Sequence, residues 1–219
     1  VKVAIAGAGA VGRSIAGELI ANHHDVTLFE RNPHNVDPDA VPGASWISGD
    51  ACELTNLERA GLQDYDVMVA ATGDDKANLV VALLAKTEFA VNRVVARVNN
   101  PRNEWLFGED WGVDVAVSTP RILASLVEEA VSVGDLVRLM TFRQGQANLV
   151  EMTLPDNTPL AGRPVRKLVL PRDVALVAIL RGGRVIAPQG DDSVEGGDEL
   201  VFVAPEEVEG ELKRVMQLD

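Results

Sequence analysis

Cysteine is almost absent from this 219-residue chain: Cys52 stands alone. A single cysteine excludes an intramolecular disulfide, which suits a reducing compartment. Aromatic residues are scarce, at 4%. The core must then be built from Val, Leu, Ile and Ala, the side chains of buried parallel strands. Lys and Arg form no cluster. The formal charge is −13, with 10 basic and 19 acidic residues up to Val133 and 10 and 14 beyond it. Neither part is basic, so no nucleic-acid partner is expected, and no adhesion to an anionic membrane. Any anionic ligand would have to be held by local amides and a few placed cations. The longest apolar stretch, around Leu79 to Ala85, is far too short to span a bilayer. No leader pattern is read at the first residues, so a cytosolic protein is the expectation.

Histidine and tyrosine are also few. The three histidines, His23, His24 and His34, all flank the second strand expected below, and Tyr65 is the one tyrosine. From Gly134 onward there is no His, Tyr or Cys, and the lysines are Lys167 and Lys213. A hydride-transfer enzyme needs a proton donor or acceptor in reach of its substrate. This inventory favours a sensor over a small NAD-dependent oxidoreductase, the alternative reading. A redox-responsive transcription regulator is disfavoured by the acidic balance and the lack of a basic helix-turn-helix. The acidic run Asp191, Asp192, Glu195, Asp198 and Glu199 lacks the ligand spacing of an EF-hand and reads as a solvated loop.

What is present is alternation. Apolar residues make up 47% of the chain, enough for a core. Strands are expected at Lys2–Ala6, Asp25–Phe29, Ser45–Ser48, Asp66–Ala71, Arg93–Val98 and Asp114–Val117. Helices are expected at Ala10–Asn22, after Gly49 in GDACELTNLERAG, at Asp75–Glu88 and from Pro101. Strand–helix alternation predicts a doubly wound parallel sheet. A helix over Pro120–Val133 leaves this domain. Short strands with hairpin turns follow, clearest in VALVAILRGGRVIAP with Gly182-Gly183 at its turn, and a helix closes the chain over Glu206–Met216. The expected domains are therefore 1–133, α/β, and 134–219, a small α+β unit.

The stretch IAGAGAVGRSIAGELIANHHDVTLFE carries the chemistry. Gly7, Gly9 and Gly12 form the GxGxxG spacing between a strand and a helix. The first permits the tight turn, the second lets a pyrophosphate approach the backbone, and the third lets the helix pack on the strand. The helix N-terminus offers amides to phosphate. Glu30 ends the second strand 18 residues after Gly12, placed to accept from ribose hydroxyls and repel a 2′-phosphate. Arg31 beside it weakens that exclusion. NAD and ATP or ADP fit equally, since each presents an adenosine ribose and phosphates. Arg13 either meets phosphate or is a solvated helix residue. Asp50 and Thr72-Gly73 lie at the ends of the third and fourth strands, where such sheets bind ligands. Asp74 and Asp75 read as helix caps, Asp75 especially.

The segments VAIAGAGAVGRSIA, SGDACELTNLERAGLQDYDVMVAATGDDKANLVVALLAK and RVVARVNNP, with LPDNTPLAGRPVRKLVLPRDVALVAILRGGRVIAPQGDDSVEGGDELVFVA beyond them, resemble the RCK (regulator of potassium conductance) proteins. The likeness is to the TrkA/KtrA-type regulatory subunits of bacterial potassium uptake systems, and it covers nearly the whole chain. It implies a Rossmann-like N-domain, a small C-terminal α+β domain and no catalysis. It implies binding of NAD(H) or ATP/ADP by Gly7, Ala8, Gly9, Ala10, Val11, Gly12, Glu30, Asp50, Ala51, Cys52, Ala71, Thr72, Gly73 and Arg97. Arg97 is open to a second reading, a salt bridge at the sheet edge. The resemblance also implies a cytoplasmic protein, peripheral on the inner face of the membrane, that docks on a membrane-embedded potassium-translocating subunit. Longer members carry two such units in tandem. One unit per chain implies a homo-oligomer (dimer, tetramer or octameric ring), or a ring completed by a paralogous RCK subunit. The helix over Pro120–Val133, with Glu128 and Glu129, is expected to carry contacts that transmit the change.

Overall fold

Lys2–Ala6 is apolar on both sides of its pleat, and the fold buries both. In the computed structural model, which describes residues 1–131, 133–142 and 147–217, this segment is strand β1. Val3 and Ile5 join one apolar cluster with Ala16, Val26 and Leu28. Ala4 and Ala6 join another with Phe29, Met68, Ala70 and Val81. Successive strand residues point to opposite faces, so clusters on both sides mean a sheet covered twice.

That sheet also holds β2 (Asp25–Glu30), β3 (Ser45–Ser48), β4 (Val67–Ala70), β5 (Arg93–Val98) and β6 (Val115–Ser118). Every pairing is parallel, in the order β3-β2-β1-β4-β5-β6. Helix α1 (Ala10–Ala21) follows β1, α2 (Leu54–Ala60) follows β3 and α3 (Asp75–Thr87) follows β4. Ala16 of α1 packs in the first cluster; Leu57 of α2 and Leu79, Ala82 and Ala85 of α3 pack in the second. This is a Rossmann-like doubly wound sheet. Its strand order reverses between β1 and β4, which opens a crevice at their carboxyl ends.

One expected helix takes another form. Pro101–Leu106 is a 3-10 turn. Its amides are committed to tight partners: Arg102 N–H donates to the Asn100 side chain at 3.1 Å and Asn103 N–H to the Asn100 carbonyl at 2.9 Å. The loop after β2 likewise contains two short 3-10 turns, Pro33–Asn35 and Pro38–Ala40, each begun by its proline.

The chain groups into two compact units, Val1–Pro120 and Arg121–Asp219. The division comes near the start of helix α4 (Thr119–Val131), ahead of the boundary expected at 133. The side chain of Glu129 lies outside the described residues.

The second unit is α+β. Strands β7 (Val137–Thr141), β8 (Asn148–Thr153), β9 (Ala175–Arg181), β10 (Arg184–Ile186) and β11 (Glu199–Ala204) form an antiparallel sheet ordered β10-β9-β11-β8-β7. Gly182-Gly183 turns β9 into β10 as expected. Helix α5 (Glu209–Gln217) sets Leu212 and Met216, one turn apart, in a core with Val150, Met152, Leu200 and Phe202.

Candidate functional site

The chain leaves β1 through Gly7, whose φ of 100° is the left-handed region. A Cβ there would lie 2.9 Å from the Thr72 backbone. Gly12, in the first turns of α1, is tighter still: a Cβ would lie 1.9 Å from the Gly7 carbonyl oxygen. Gly9 differs, since a Cβ there would meet nothing within 4 Å. Helix α1 has no side-chain cap and no acid in its first turn. Its leading amides are left for a partner outside the helix.

These amides open on a cleft of about 610 Å³ at the carboxyl ends of the strands. Gly7, Ala8, Gly9, Ala10 and Val11 line it from the glycine turn, Glu30 and Arg31 from the end of β2, and Asp50, Ala51 and Cys52 from the turn after β3. Ala71, Thr72 and Gly73 line it after β4, and Arg97 from β5. Of the residues expected there, Gly12 alone is not in the lining; it is buried beneath the turn. Gly49 and Asp74, from the stretches expected at the ends of β3 and β4, also line the cleft, as do Ala6, Phe29, Ala77 and Val81, which were not foreseen. Ala6 and Phe29 sit one place from expected residues. Ala77 and Val81 lie one helical turn apart on α3, a stripe that reads from sequence only as core.

Charge is arranged unevenly around the cleft. Glu30 Oε1 accepts the Asn32 N–H at 2.8 Å, which fixes one oxygen and leaves the other available. Arg31 Nη1 stands 3.8 Å from Asp50 Oδ2, and Asp50 Oδ1 accepts the Cys52 N–H at 2.9 Å. Cys52 directs its thiol at the Ala77 carbonyl, 3.7 Å away. Burial, and then the Asp50 charge, push that thiol's pKa up to about 11. It is a protonated lining group, not a nucleophile. Arg97 makes no ion pair among the described residues, and its buried Nε has no hydrogen-bond partner. The salt-bridge reading of Arg97 therefore does not hold here.

The wall after β4 is held by Asn78 and Asp75, whose roles the sequence did not disclose, and by Asp74, a cap as expected. Asn78, fully buried on α3, accepts from Thr72 N–H at 2.9 Å and Thr72 Oγ1 at 2.6 Å. Its amide donates to the Thr72 carbonyl at 3.2 Å and the Arg97 carbonyl at 2.8 Å. Asp74 caps α3, accepting the Lys76 N–H at 2.8 Å. Asp75, read as a cap, is not one. Its buried carboxylate accepts from Asn99 N–H (2.6 Å), Asn99 Nδ2 (3.0 Å), Asn100 N–H (3.0 Å) and Asn103 Nδ2 (2.8 Å). Burial alone would raise its pKa, but these amides outweigh it and hold the carboxyl below the ordinary aspartate range.

Arg13 is bound locally rather than left as a solvated helix residue. Its Nε donates to the Ala8 carbonyl at 2.7 Å and its Nη2 to the Asn35 carbonyl at 2.8 Å, over the Trp46 ring at 5.8 Å. It braces the glycine turn against the loop after β2. Tyr65 donates to Thr27 Oγ1 at 3.0 Å in the core. In the acidic run of the second unit, Asp198 is fully buried rather than solvated, paired through both oxygens with Arg181 at 2.7 Å. Among the described residues no group of three or more His, Cys, Asp or Glu could hold a metal ion, and no helix is long and apolar enough to cross a membrane.

Comparison with known proteins agrees with this architecture. The TrkA-N domain pattern matches residues 3–119 and the TrkA-C domain pattern residues 149–217. The Trk system potassium uptake protein TrkA of Mycobacterium tuberculosis is 70% identical over 215 residues, 98% of each chain. A TrkA homolog of Methanothermobacter thermautotrophicus is 33% identical over 199 residues, 90% of this chain and 91% of that one. A solved GsuK channel bound to NAD superposes with a TM-score of 0.72 at 17% identity, over 98% of this chain and 39% of that one, a likeness of fold.

Proposed function

The chain belongs to the TrkA family, and from that premise we propose that it is a nucleotide-sensing regulatory subunit of a potassium uptake system. Family membership makes it a regulator rather than an enzyme. The proposed ligand is NAD(H) or ATP/ADP, held in the cleft between the glycine turn, Glu30 and Thr72. One observation carries the reading: the uncapped start of α1 and the carboxylate of Glu30 face a single cleft of about 610 Å³ at the point where the strand order reverses.

Each part has a job in that reading. The first amides of α1 take the phosphates, approached over Gly9, where no neighbour stands within 4 Å of a Cβ position. Glu30 accepts from ribose hydroxyls with the oxygen that Asn32 leaves available. Its charge disfavours a 2′-phosphate, so NADP binds less well. Arg97, with an unspent Nε, supplies a cation in an otherwise acidic chain. The solved channel bound to NAD supports the dinucleotide by analogy of fold. No His or Tyr lines the cleft, so the oxidoreductase alternative would have to draw its acid/base group from the carboxylates of Glu30, Asp50 and Asp74.

The subunit acts in the cytoplasm, on the inner face of the membrane, as a homo-oligomer docked on the potassium-translocating protein. A ligand shifts the assembly only by binding its two shapes unequally. A thermal-shift titration of the purified protein with NAD, NADH, NADP, ATP and ADP tests the site. Binding to the native state raises the midpoint with ligand concentration. The expected result is a rise with NAD(H) or ATP/ADP, a weaker one with NADP, and loss of the rise in Glu30→Ala. No shift with any of the five overturns the reading.

A further inference from the structure

Asn78 spends its whole amide on two walls of the cleft. It lies outside the lining itself, fully buried on α3. Its oxygen takes both donors of Thr72, and its nitrogen bridges the Thr72 and Arg97 carbonyls. A buried amide with every strong bond made is costly to disturb, and it fixes the distance between the groups it joins. The two groups lie 25 residues apart in sequence, Thr72 in the turn after β4 and Arg97 on β5. The consequences run in two directions. Thr72 sets the space for Gly7, since its Cα stands 2.9 Å from where a Gly7 Cβ would be. Arg97 presents the cation whose buried Nε has no partner among the described residues.

We propose that Asn78 is a positioning residue for the cleft's ligand: anchored on Thr72, it holds the Arg97 backbone and so fixes where the Arg97 guanidinium meets a phosphate-bearing nucleotide. The proposal rests on the nucleotide reading of the cleft and adds a residue to it. Asn78 touches no ligand. It acts through Arg97, so its effect on affinity must disappear when Arg97 is gone. A role in folding alone has no such dependence, because a general loosening of the sheet weakens binding whether or not the cation is present.

The test is a double-mutant cycle on ADP and NAD affinity, measured by calorimetry on the full chain, with a thermal melt of each unliganded variant. Arg97→Ala is expected to weaken binding about tenfold or more, the loss of a charge-assisted contact. Asn78→Ala is expected to weaken it comparably. The double variant should bind within about twofold of Arg97→Ala alone, since the two act as one unit. Asn78→Ser, too short to reach the Arg97 carbonyl, replaces Asn78→Ala should that variant fail to fold. Losses that multiply in the double variant overturn the role of Asn78, as does a lowered melting point with affinity unchanged, and both leave the nucleotide reading standing. Wild-type protein that binds neither ADP nor NAD overturns both.

Discussion

Asp75 Oδ1 accepts the backbone N–H of Asn99 at 2.6 Å, across 24 residues of sequence. The carboxylate ties the start of α3 to the segment after β5, and the Asn100 and Asn103 amides complete its shell. Its folded pKa is depressed, so the charged form is the one the fold favours. The stability it confers is present above the unfolded value, about 3.9, and is lost as pH falls through the folded one. Asp75→Asn should cost roughly 2 kcal/mol or more at pH 7, the scale of charge-assisted bonds to a buried group. Denaturant melts of both proteins should show that gap shrinking as the pH is taken below about 4.

Gly12 and Gly9 separate packing from binding. A Cβ at Gly12 would strike the Gly7 carbonyl at 1.9 Å, and backbone must move to admit it. Gly12→Ala should destabilise the protein by about 1–3 kcal/mol, the cost of overpacking. Gly9→Ala meets no neighbour within 4 Å and should cost less than about 1 kcal/mol. Its Cβ would instead stand where a ligand approaches the backbone. Thermal melts with and without ADP should show Gly9→Ala near wild-type stability with a reduced response to nucleotide.

Cys52 should resist alkylation. With its pKa pushed up to about 11, the thiolate is rare at neutral pH. Iodoacetamide should modify it roughly a hundredfold more slowly at pH 7 than an unperturbed thiol of pKa about 8.5. The rate should climb with pH well past 9. Replacing Asp50 by Asn removes the second cause of the shift and should raise the rate at fixed pH. Mass spectrometry of timed samples measures both.

The second unit has its own polar lock. Asp198, with no exposed surface, pairs through both oxygens with Arg181 and also accepts the Glu195 N–H at 2.8 Å. Removing the cation leaves a buried charge without its counterion. Arg181→Met should cost about 3–5 kcal/mol. Arg181→Met with Asp198→Asn should recover part of that loss, because the stranded charge is removed. Urea melts of the full chain report both values.

The cleft was legible where its chemistry is local. Gly7, Gly9 and Gly12 announce a strand–turn–helix because each answers a steric demand within a few residues. Glu30 follows from the length of one helix and one strand. The residues whose roles were misread answer distant partners. Asp75 follows Asp74 at a helix start, and either could have been the cap; only the arrival of Asn99, Asn100 and Asn103 gives Asp75 its other task. Arg13 gains Asn35 and Trp46 as neighbours only because the loop after β2 comes beside it.

The sequence by itself determined the strand–helix alternation, the parallel sheet, the antiparallel second unit and the place of the glycine turn. Apolar spacing and glycine sterics act over a few residues, and those are written in order along the chain. Tertiary structure alone decided that Asn78 joins Thr72 to Arg97, that Asp198 is buried on Arg181, and that Arg97 keeps an unspent Nε beside the cleft. A side chain's partner depends on which strand ends and loops the sheet brings together, and no local spacing records that.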